Sequence, residues 1–254
     1  MNIEFKGKTV LITGAAGFLG SELAGLYADS KAERIILTDL PERIEKLDII
    51  AEKLNNSGAK AERFCLDIRD IKAIKGFAEK LDEKGYKIDI LINNAGVNKF
   101  VKAVEVTEED WDRLLDINLK GAFFMTKEIA RQSLIEQKGN IVFISSQHGV
   151  VGNIMRAGYC ASKTGLLGLM RALVAEWSVY GVRVNSVAPT YILNETNEAW
   201  LNDPQNTRNK KNHIPLKKYA DVLSVANAVL FLSSDKAEMV TGHNLVVDGG
   251  YTVL

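Results

Sequence analysis

A tyrosine and a lysine in this chain have the spacing and the chemistry of an acid–base pair. Tyr159 and Lys163 lie four residues apart, and Ser146 lies thirteen residues upstream of the tyrosine. Residues four apart on a helix share one face, so the Lys163 ammonium is expected beside the Tyr159 phenol. A free phenol has a pKa of about 10, and an adjacent positive charge lowers that pKa. Tyr159 is therefore predicted to exchange a proton with an alcohol or carbonyl oxygen that Ser146 also hydrogen-bonds.

A glycine-rich turn near the N-terminus predicts a site for the phosphates of a dinucleotide. The run Lys8–Thr13 is typical of a buried strand, and an amphipathic stretch over Ser21–Ser30 predicts a helix after the turn. Glycines permit a close approach of the backbone to pyrophosphate, and the free N–H groups of a helix N-terminus bind the anion. The turn contains Gly14, Gly17, Phe18, Leu19 and Gly20.

An acidic residue ends the second predicted strand. Arg34–Thr38 is followed directly by Asp39, nineteen residues beyond Gly20. At about that spacing an acid binds the hydroxyls of the adenosine ribose. A carboxylate at this position repels the additional phosphate of NADP, so NAD is the predicted cofactor. Arg43 lies nearby and keeps NADP open as an alternative.

Together these motifs resemble the short-chain dehydrogenase/reductase family in its short, single-domain branch, over nearly the whole chain. Further matching motifs are Cys65-Leu66-Asp67-Ile68, Asn93-Asn94-Ala95-Gly96, Asp116-Ile117-Asn118-Leu119, Ile144-Ser145-Ser146, Arg183 to Pro189, and Asp248-Gly249-Gly250. Their joint order and spacing carry the resemblance.

The resemblance implies roles for individual residues. The implied catalytic tetrad is Asn118, Ser146, Tyr159 and Lys163, with Asn118 holding a water that connects Lys163 to solvent. Asp67 is expected at the adenine ring, Lys163 at the nicotinamide ribose, and the backbone at Ile192 at the nicotinamide amide. The implied cofactor-binding residues beyond the glycine turn are Asp39, Asp67, Ile68, Asn94, Ala95, Gly96, Tyr159, Lys163, Pro189 and Ile192.

Two features that bear on the cofactor depart from the family pattern. Phe18 stands where the middle glycine is usual, and the spacing Gly14–Gly17–Gly20 resembles the epimerase branch instead. Thr190 replaces the glycine that usually follows the proline. Asn194 replaces a usual threonine, for which Thr196 is the expected substitute.

Polar residues around the catalytic group favour a hydroxylated sugar- or polyol-like substrate, with an acidic group as an option. The predicted substrate-binding residues are Ser146, His148, Asn153, Arg156, Tyr159 and Tyr191. The Arg156 guanidinium suits a carboxylate or phosphate, but the sequence alone favours its interpretation as a solvated loop arginine. His213 and His243 show no ligand spacing, so no metal is predicted.

Seven apolar runs alternate with helical stretches, which predicts an α/β fold with a parallel sheet and helices on both faces. The resemblance makes this a Rossmann-like, doubly wound sheet in a single domain over residues 1–254. The predicted strands are Val10–Thr13, Ile35–Thr38, Ala61–Leu66, Ile88–Asn93, Asn140–Ser145, Arg183–Ala188 and Asn244–Val247. A capping pattern at Thr107 predicts a helix through Asn118 towards Gln137, and the helix of Tyr159 is expected to reach about Val179. The polar stretch 190–213 is predicted to form a substrate lid.

Charge and composition exclude several classes of partner. The chain has 254 residues, with 32 Lys and Arg against 32 Asp and Glu, which gives no basic excess for nucleic acid or an anionic membrane. No apolar run reaches the roughly 18 residues of a membrane span, and the N-terminus lacks the apolar core of a signal peptide. Cys65 and Cys160 form no disulfide framework, so a cytoplasmic enzyme is predicted. The family's interface between long helices implies a homodimer or homotetramer.

Other functions remain open at this stage. A 3-oxoacyl thioester reductase is the first, although Asp39 speaks against its usual NADPH. An epimerase-type enzyme is the second, although 254 residues leave no room for that branch's usual C-terminal substrate domain. An NAD-binding sensor without turnover is the third, although all four tetrad candidates are present.

Overall fold

The computed structural model describes residues 3–195, 197–203 and 210–253, in which strands alternate with helices as predicted. The strands are β1 (Thr9–Thr13), β2 (Arg34–Asp39), β3 (Ala61–Cys65), β4 (Ile90–Asn93), β5 (Asn140–Ile144), β6 (Arg183–Pro189) and β7 (Asn244–Val247). The helices are α1 (Phe18–Asp29), α2 (Ile44–Asn56), α3 (Ile71–Glu83), α4 (Glu108–Leu115), α5 (Ala122–Ile129), α6 (Ala157–Trp177), α7 (Glu198–Asn202) and α8 (Val222–Ser233).

The seven strands form one parallel sheet in the order β3-β2-β1-β4-β5-β6-β7. In the middle, Val10 of β1 pairs with Ile35 of β2 on one side and with Ile90 of β4 on the other. The chain winds outward from β1 to β3, returns to β4, and then winds in the opposite direction. This order confirms the doubly wound, Rossmann-like fold. It also places a crevice at the carboxyl ends of β1 and β4, where such sheets bind ligands.

Alternate side chains of each central strand enter two separate cores. On β1, Val10 and Ile12 pack into one core with helices α1 and α8, and Leu11 packs into the other with helices α3 and α5. All three are fully buried. Because neighbouring strand residues point to opposite faces, a parallel sheet with helices on both faces needs the continuous apolar runs seen in the sequence.

The predicted long helix from Thr107 is interrupted twice. Its start is confirmed, since the Thr107 hydroxyl accepts from the Asp110 backbone N–H at 3.2 Å. Beyond α4, however, the backbone is π-helical over Asp116–Gly121, and again over Ala130–Leu134 after α5. The first π-helical segment contains Asn118. Such bulges are frequent at functional sites.

Two glycines bring α6 close to the preceding helical layer. A Cβ on Gly158 would lie 2.9 Å from the Leu114 side chain, and one on Gly165 would lie 2.8 Å from Leu119. Gly168, on the same helix, has no atom within 4 Å of that position, so it makes no such close approach within the described part of the chain. The close approach fixes the distance between α6 and the Asn118 segment.

The predicted lid, 190–213, is described only in part, because Thr196 and residues 204–209 lie outside the described residues. Ile192 forms an isolated parallel bridge with Ala220. Leu201 of α7 is buried and faces the crevice. In the described part of the chain, every helix is too short or too polar to cross a membrane.

Candidate active site

Helix α6 brings Tyr159 and Lys163 to the carboxyl end of β5. The Lys163 ammonium is buried and donates a hydrogen bond to the Ile144 carbonyl at 2.8 Å. Its Nζ lies 5.8 Å from the centroid of the Tyr159 ring. Ser146, two residues beyond β5, hydrogen-bonds the Tyr159 phenol, and its Oγ also accepts from the His148 backbone N–H at 3.1 Å. The structure therefore brings these three predicted residues together.

Asn118 lies in the same cluster, and its side chain is largely used by the protein. Its amide donates to the Val97 carbonyl at 2.9 Å and to the Ser162 hydroxyl at 3.0 Å. Its oxygen accepts from the Val97 N–H at 2.8 Å. A water between Asn118 and Lys163 therefore needs the second lone pair of this oxygen or the main-chain carbonyl.

The electrostatics of Tyr159 differ from the sequence expectation. Burial raises the pKa of Tyr159, and the hydrogen bond from Ser146 and the charge of Arg156 only partly oppose that rise. Burial also lowers the pKa of Lys163 itself to about 8, and its ammonium donates to the Ile144 carbonyl rather than to the phenol. In the protein alone, the phenol is thus protonated at neutral pH.

Lys163 gives a pH-dependent stability that can be measured. Its folded-state pKa of about 8 lies below the ordinary value, so the unfolded chain binds more protons above that pH. Stability therefore rises from about pH 8 to about pH 10, by about 2 kcal/mol for this group. We expect the wild type to gain this amount over Lys163→Met in urea unfolding of the cofactor-free protein.

The Lys163→Met variant is its own control, because all other titrating groups are common to both proteins. Their contributions cancel in the difference between the two unfolding free energies. Parallel pH profiles for the two proteins would show that Lys163 is charged in the folded state up to its ordinary pKa.

A cleft of about 450 Å³ runs along the carboxyl ends of β1, β2 and β4. Nearly all predicted residues of the adenosine and phosphate site line it. They are Gly14, Gly17, Phe18, Leu19, Asp39, Asp67, Ile68, Asn94, Ala95 and Gly96. Gly20 lies beneath the turn instead, where a Cβ would be 2.4 Å from the Gly14 carbonyl oxygen.

The glycine turn forms without the usual middle glycine. Gly14 has φ +64°, and a Cβ there would lie 2.8 Å from Ala95 Cα. The Gly17 N–H donates to the Gly14 carbonyl at 3.0 Å, and α1 begins at Phe18, three residues earlier than Ser21. The Phe18 side chain is 45% exposed at the cleft, so no glycine is required there. The first-turn N–H groups of α1 face a site suited to an anion.

Asp39 does more than the sequence indicated. Its carboxylate accepts from the Ala16 N–H at 2.9 Å and from the Leu40 N–H at 2.8 Å, so it fastens the glycine turn to β2. It remains at the cleft wall, and Arg43 Nη1 lies 3.9 Å from it. Sequence reasoning missed the structural part of this role, because no motif marks a contact to the Ala16 backbone.

Asp67 lies at the cleft as predicted but has a partner of its own. Arg69 pairs with both oxygens of its carboxylate, the shortest contact being 2.6 Å. This pairing lowers the pKa of Asp67. The carboxylate therefore stays charged and keeps lone pairs for an additional donor such as an adenine amino group.

A second cavity of about 740 Å³ adjoins the first and contains the cluster around Tyr159. Asn94, Gly96 and Val97 line both cavities, so together they form one cleft. Of the remaining predicted residues, Pro189, Ile192, His148, Arg156 and Tyr191 line the second cavity. Asn153 lies just behind them, with its amide 3.2 Å from both His148 Nε2 and the Tyr191 hydroxyl.

Buried polar atoms along this cleft indicate a place for a bound group. Among the described residues, Thr38 Oγ1, Gln147 Oε1 and Thr190 Oγ1 have no hydrogen-bond partner. Buried polar atoms are nearly always paired, so a bound molecule is expected to supply partners. A dinucleotide fits this arrangement, because Thr38 lies in the first cavity and Thr190 in the second.

The interpretation of Arg156 as a solvated loop residue is wrong. Its side chain enters the second cavity and is only 4% exposed. It lies 3.9 Å over the Phe100 ring, a contact that sequence reasoning missed because the two residues are 56 positions apart. Tyr251, near the C-terminus, was missed for the same reason, and its ring centroid lies 6.1 Å from that of His148.

Known proteins are similar to this chain over almost its full length. Residues 14–252 match the family model described as enoyl-(acyl carrier protein) reductase. The D-threitol dehydrogenase of Mycolicibacterium smegmatis is 37% identical over 252 residues, which are 99% of this chain and 95% of that protein. The NAD-dependent glycerol dehydrogenase of Listeria innocua is 35% identical, over 97% of this chain and 94% of that protein.

A reductase and a solved structure widen the range of activities among similar proteins. The 3-oxoacyl-(acyl-carrier-protein) reductase of Thermotoga maritima is 34% identical, over 99% of this chain and 100% of that protein. The gluconate 5-dehydrogenase of Burkholderia cenocepacia, crystallised with NADP and tartrate, has a TM-score of 0.92 at 28% identity. That match covers 100% of this chain and 98% of the other.

Proposed function

The chain belongs to the short-chain dehydrogenase/reductase family, and we propose that it transfers a hydride between NAD and a secondary alcohol of a polyol- or sugar-like substrate. One observation carries this proposal. Tyr159, Ser146 and Lys163 converge where the nucleotide cleft opens into the second cavity. A reacting carbon bound there lies next to both a proton donor and the far end of the dinucleotide.

The roles of the residues follow from this placement. Tyr159 accepts the hydroxyl proton of an alcohol during oxidation, and gives a proton to the carbonyl oxygen during reduction. Ser146 hydrogen-bonds the same oxygen and stabilises the charge that develops on it. Bound NAD in its oxidised form supplies the hydride acceptor and a positive charge. That charge opposes the effect of burial on the phenol.

We assign Lys163 to binding of the cofactor ribose, and Asn118 to positioning the backbone beside Lys163. A Cβ on Gly96 would lie 3.3 Å from both the Lys163 Nζ and the Asn118 oxygen, closer than ordinary van der Waals contact, so a side chain at this position would crowd the ammonium. From its place beside Gly96, Lys163 can donate to a ribose hydroxyl. Asn118 fixes the Val97 backbone beside it. As the family implies, it also holds a water that connects Lys163 to solvent.

Hydrogen-bonding side chains at the second cavity support a hydroxylated substrate. His148, Asn153 and Tyr191 present a linked set of hydrogen-bonding groups beside Tyr159. Similar proteins are named as D-threitol, NAD-dependent glycerol and gluconate 5-dehydrogenases, which also favours polyols and sugar acids. The 3-oxoacyl reductase of Thermotoga maritima keeps a thioester substrate as the second candidate.

A substrate screen tests this proposal. The wild-type protein is assayed with NAD and NADP against polyols, sugar acids and, in the reverse direction, 3-oxoacyl thioesters. Turnover of a polyol or sugar acid with NAD is the expected result. Activity confined to the thioesters would establish the second candidate, and cofactor binding without any turnover would make the protein a sensor.

Asp39 supports NAD as the preferred cofactor, because its carboxylate lies at the ribose end of the cleft. Asp39→Asn removes the charge and retains one oxygen acceptor, which can serve either the Ala16 N–H or the Leu40 N–H. We expect the ratio of kcat/KM for NAD to that for NADP to fall about tenfold, since a unit charge near the 2′-phosphate is worth more than 1 kcal/mol.

Arg43→Gln is the matched control for this cofactor prediction. It removes the cation 3.9 Å from Asp39, so NADP use should fall while NAD use changes little. An unchanged cofactor ratio in Asp39→Asn, with intact NAD binding, would exclude Asp39 from the discrimination.

The proposal also covers the oligomeric state and the cellular compartment of the protein. We place the protein in the cytoplasm as a homo-oligomer, either a dimer or a homotetramer as the family implies. Both cysteines are unpaired, which suits a reducing compartment.

A further inference from the structure

Arg156 is held inside the second cavity by the local backbone. The preceding residue, Met155, has φ +59°, a left-handed conformation that non-glycine residues rarely adopt. The Met155 carbonyl accepts from the Val101 N–H at 3.1 Å, which fixes this conformation beside Phe100. Backbone strain of this kind persists where the surrounding structure enforces it, and it clusters at functional sites. Here it directs a long cationic side chain away from solvent.

The guanidinium has aromatic neighbours but no anionic one among the described residues. It lies 3.9 Å from the Phe100 centroid, 5.5 Å from that of Tyr159 and 5.9 Å from that of Tyr191. Nε of Arg156 is buried without a hydrogen-bond partner in this part of the chain, and no described carboxylate pairs with the side chain. Burying an unpaired charge is costly, so proteins pair such groups or reserve them for a ligand.

From these contacts we infer that the substrate carries a carboxylate, which Arg156 binds while Tyr159 and Ser146 hold the reacting hydroxyl. The inference rests on the proposed function, because it names the substrate class of the same cavity as a short polyhydroxy acid. Arg156 lies one turn before Tyr159 at the start of α6, so only a few carbon atoms separate the carboxylate from the oxidised carbon. The hydroxyls between them meet His148 and Tyr191, which Asn153 hydrogen-bonds from behind.

The charge balance of the cavity favours a carboxylate over a phosphate. A phosphate monoester carries nearly two negative charges at neutral pH, whereas a carboxylate carries one. Arg156 supplies one positive charge. The other buried cation of the cavity, Lys163, is directed to the Ile144 carbonyl.

The test compares acids with their neutral counterparts. kcat/KM is measured for D-gluconate against D-glucitol, and for D-threonate against D-threitol, in wild type, Arg156→Gln and Arg171→Gln. Arg171 is an exposed arginine on the same helix. We expect the wild type to prefer the acid. Arg156→Gln should lower the acid-to-polyol ratio about 10- to 100-fold, mainly through KM. Arg171→Gln should keep the wild-type ratio. An unchanged ratio in Arg156→Gln, or a wild type that prefers the neutral polyols, would overturn the inference and leave the proposed function intact.

A binding measurement decides the inference even where no tested compound is oxidised. Calorimetric titration of the NADH-loaded protein with tartrate should give binding that is lost in Arg156→Gln and kept in Arg171→Gln. Absence of tartrate binding by the wild type would refute the carboxylate site. Tighter binding of D-glucitol 6-phosphate than of D-gluconate would assign the anion site to a phosphate instead.

A structural role for Arg156 predicts a different outcome in the cofactor-free protein. Arg156→Met keeps the volume of the side chain and removes its charge. For a guanidinium reserved for a ligand, we expect a melting temperature equal to or above that of the wild type, since a buried unpaired charge is lost. A drop of several degrees would show that Arg156 supports the fold rather than the substrate.

Discussion

Tyr159→Phe is expected to lower kcat by about 10²- to 10⁴-fold, the range associated with loss of a positioned acid or base. The substitution removes only the hydroxyl that hydrogen-bonds Ser146 and leaves the ring that packs beside Arg156 and His148. The affinity for NAD, measured by fluorescence titration, should stay close to that of the wild type.

The control for this prediction is a second buried tyrosine far from the cleft. The Tyr27 hydroxyl pairs with the Ser233 hydroxyl at 2.7 Å within the core that packs on α1 and α8. Tyr27→Phe should cost about 1 kcal/mol of stability and leave turnover unchanged. Undiminished kcat in Tyr159→Phe would remove the phenol from the chemistry, whereas equal losses in both variants would indicate a general loss of folded protein.

Gly20→Ala is expected to damage both the fold and the cofactor site. The added Cβ would lie 2.4 Å from the Gly14 carbonyl oxygen and 2.8 Å from Ala15 Cα, both of them backbone atoms that cannot rotate away. Overpacking of this kind costs about 1–3 kcal/mol. Relief requires the glycine turn to move, so we expect the Kd for NAD to rise about tenfold or more, a change of at least about 1.4 kcal/mol.

A glycine on the same helix provides the matched substitution. A Cβ on Gly25 would meet no atom within 4 Å, and α1 continues on either side of it. Gly25→Ala should therefore raise the free energy of unfolding by about 0.5–1 kcal/mol through helix propensity, with NAD binding unchanged. Similar urea midpoints and Kd values for the two variants would contradict the packing described for Gly20.

The parts of the site that depend on local spacing could be predicted from the sequence. Tyr159 and Lys163 share one helix, and Ser146 directly follows a strand, so their approach follows from the period of a helix and the edge of a parallel sheet. Asp39 is the last residue of β2, so it also lies at the edge formed by the carboxyl ends of the strands. The order of the apolar runs also predicted the sheet, because the runs that form its inner strands are apolar enough to be buried on both faces.

The features that arise from distant contacts could not be predicted. The burial of Arg156 depends on the left-handed Met155 and on Phe100, which no periodicity relates to α6. The direction of the Lys163 ammonium depends on the Ile144 carbonyl at the end of β5. The burial of the phenol, which also depends on the tertiary fold, raises the Tyr159 pKa where a lowered pKa was expected. Sequence spacing predicts which residues share one face of a helix, but it does not determine what the end group of a long side chain contacts.

The most direct test of the proposed chemistry is isotope transfer from the substrate to the nicotinamide. Wild-type protein is incubated with NAD and with a sugar acid or polyol deuterated at its carbinol carbons. The mass of the reduced cofactor is then measured by mass spectrometry. We expect the wild type to form NADH that carries one deuterium, and Tyr159→Phe to form almost none in the same time. Reduced cofactor without the label, or a ternary complex that never forms reduced cofactor, would contradict direct hydride transfer from the substrate.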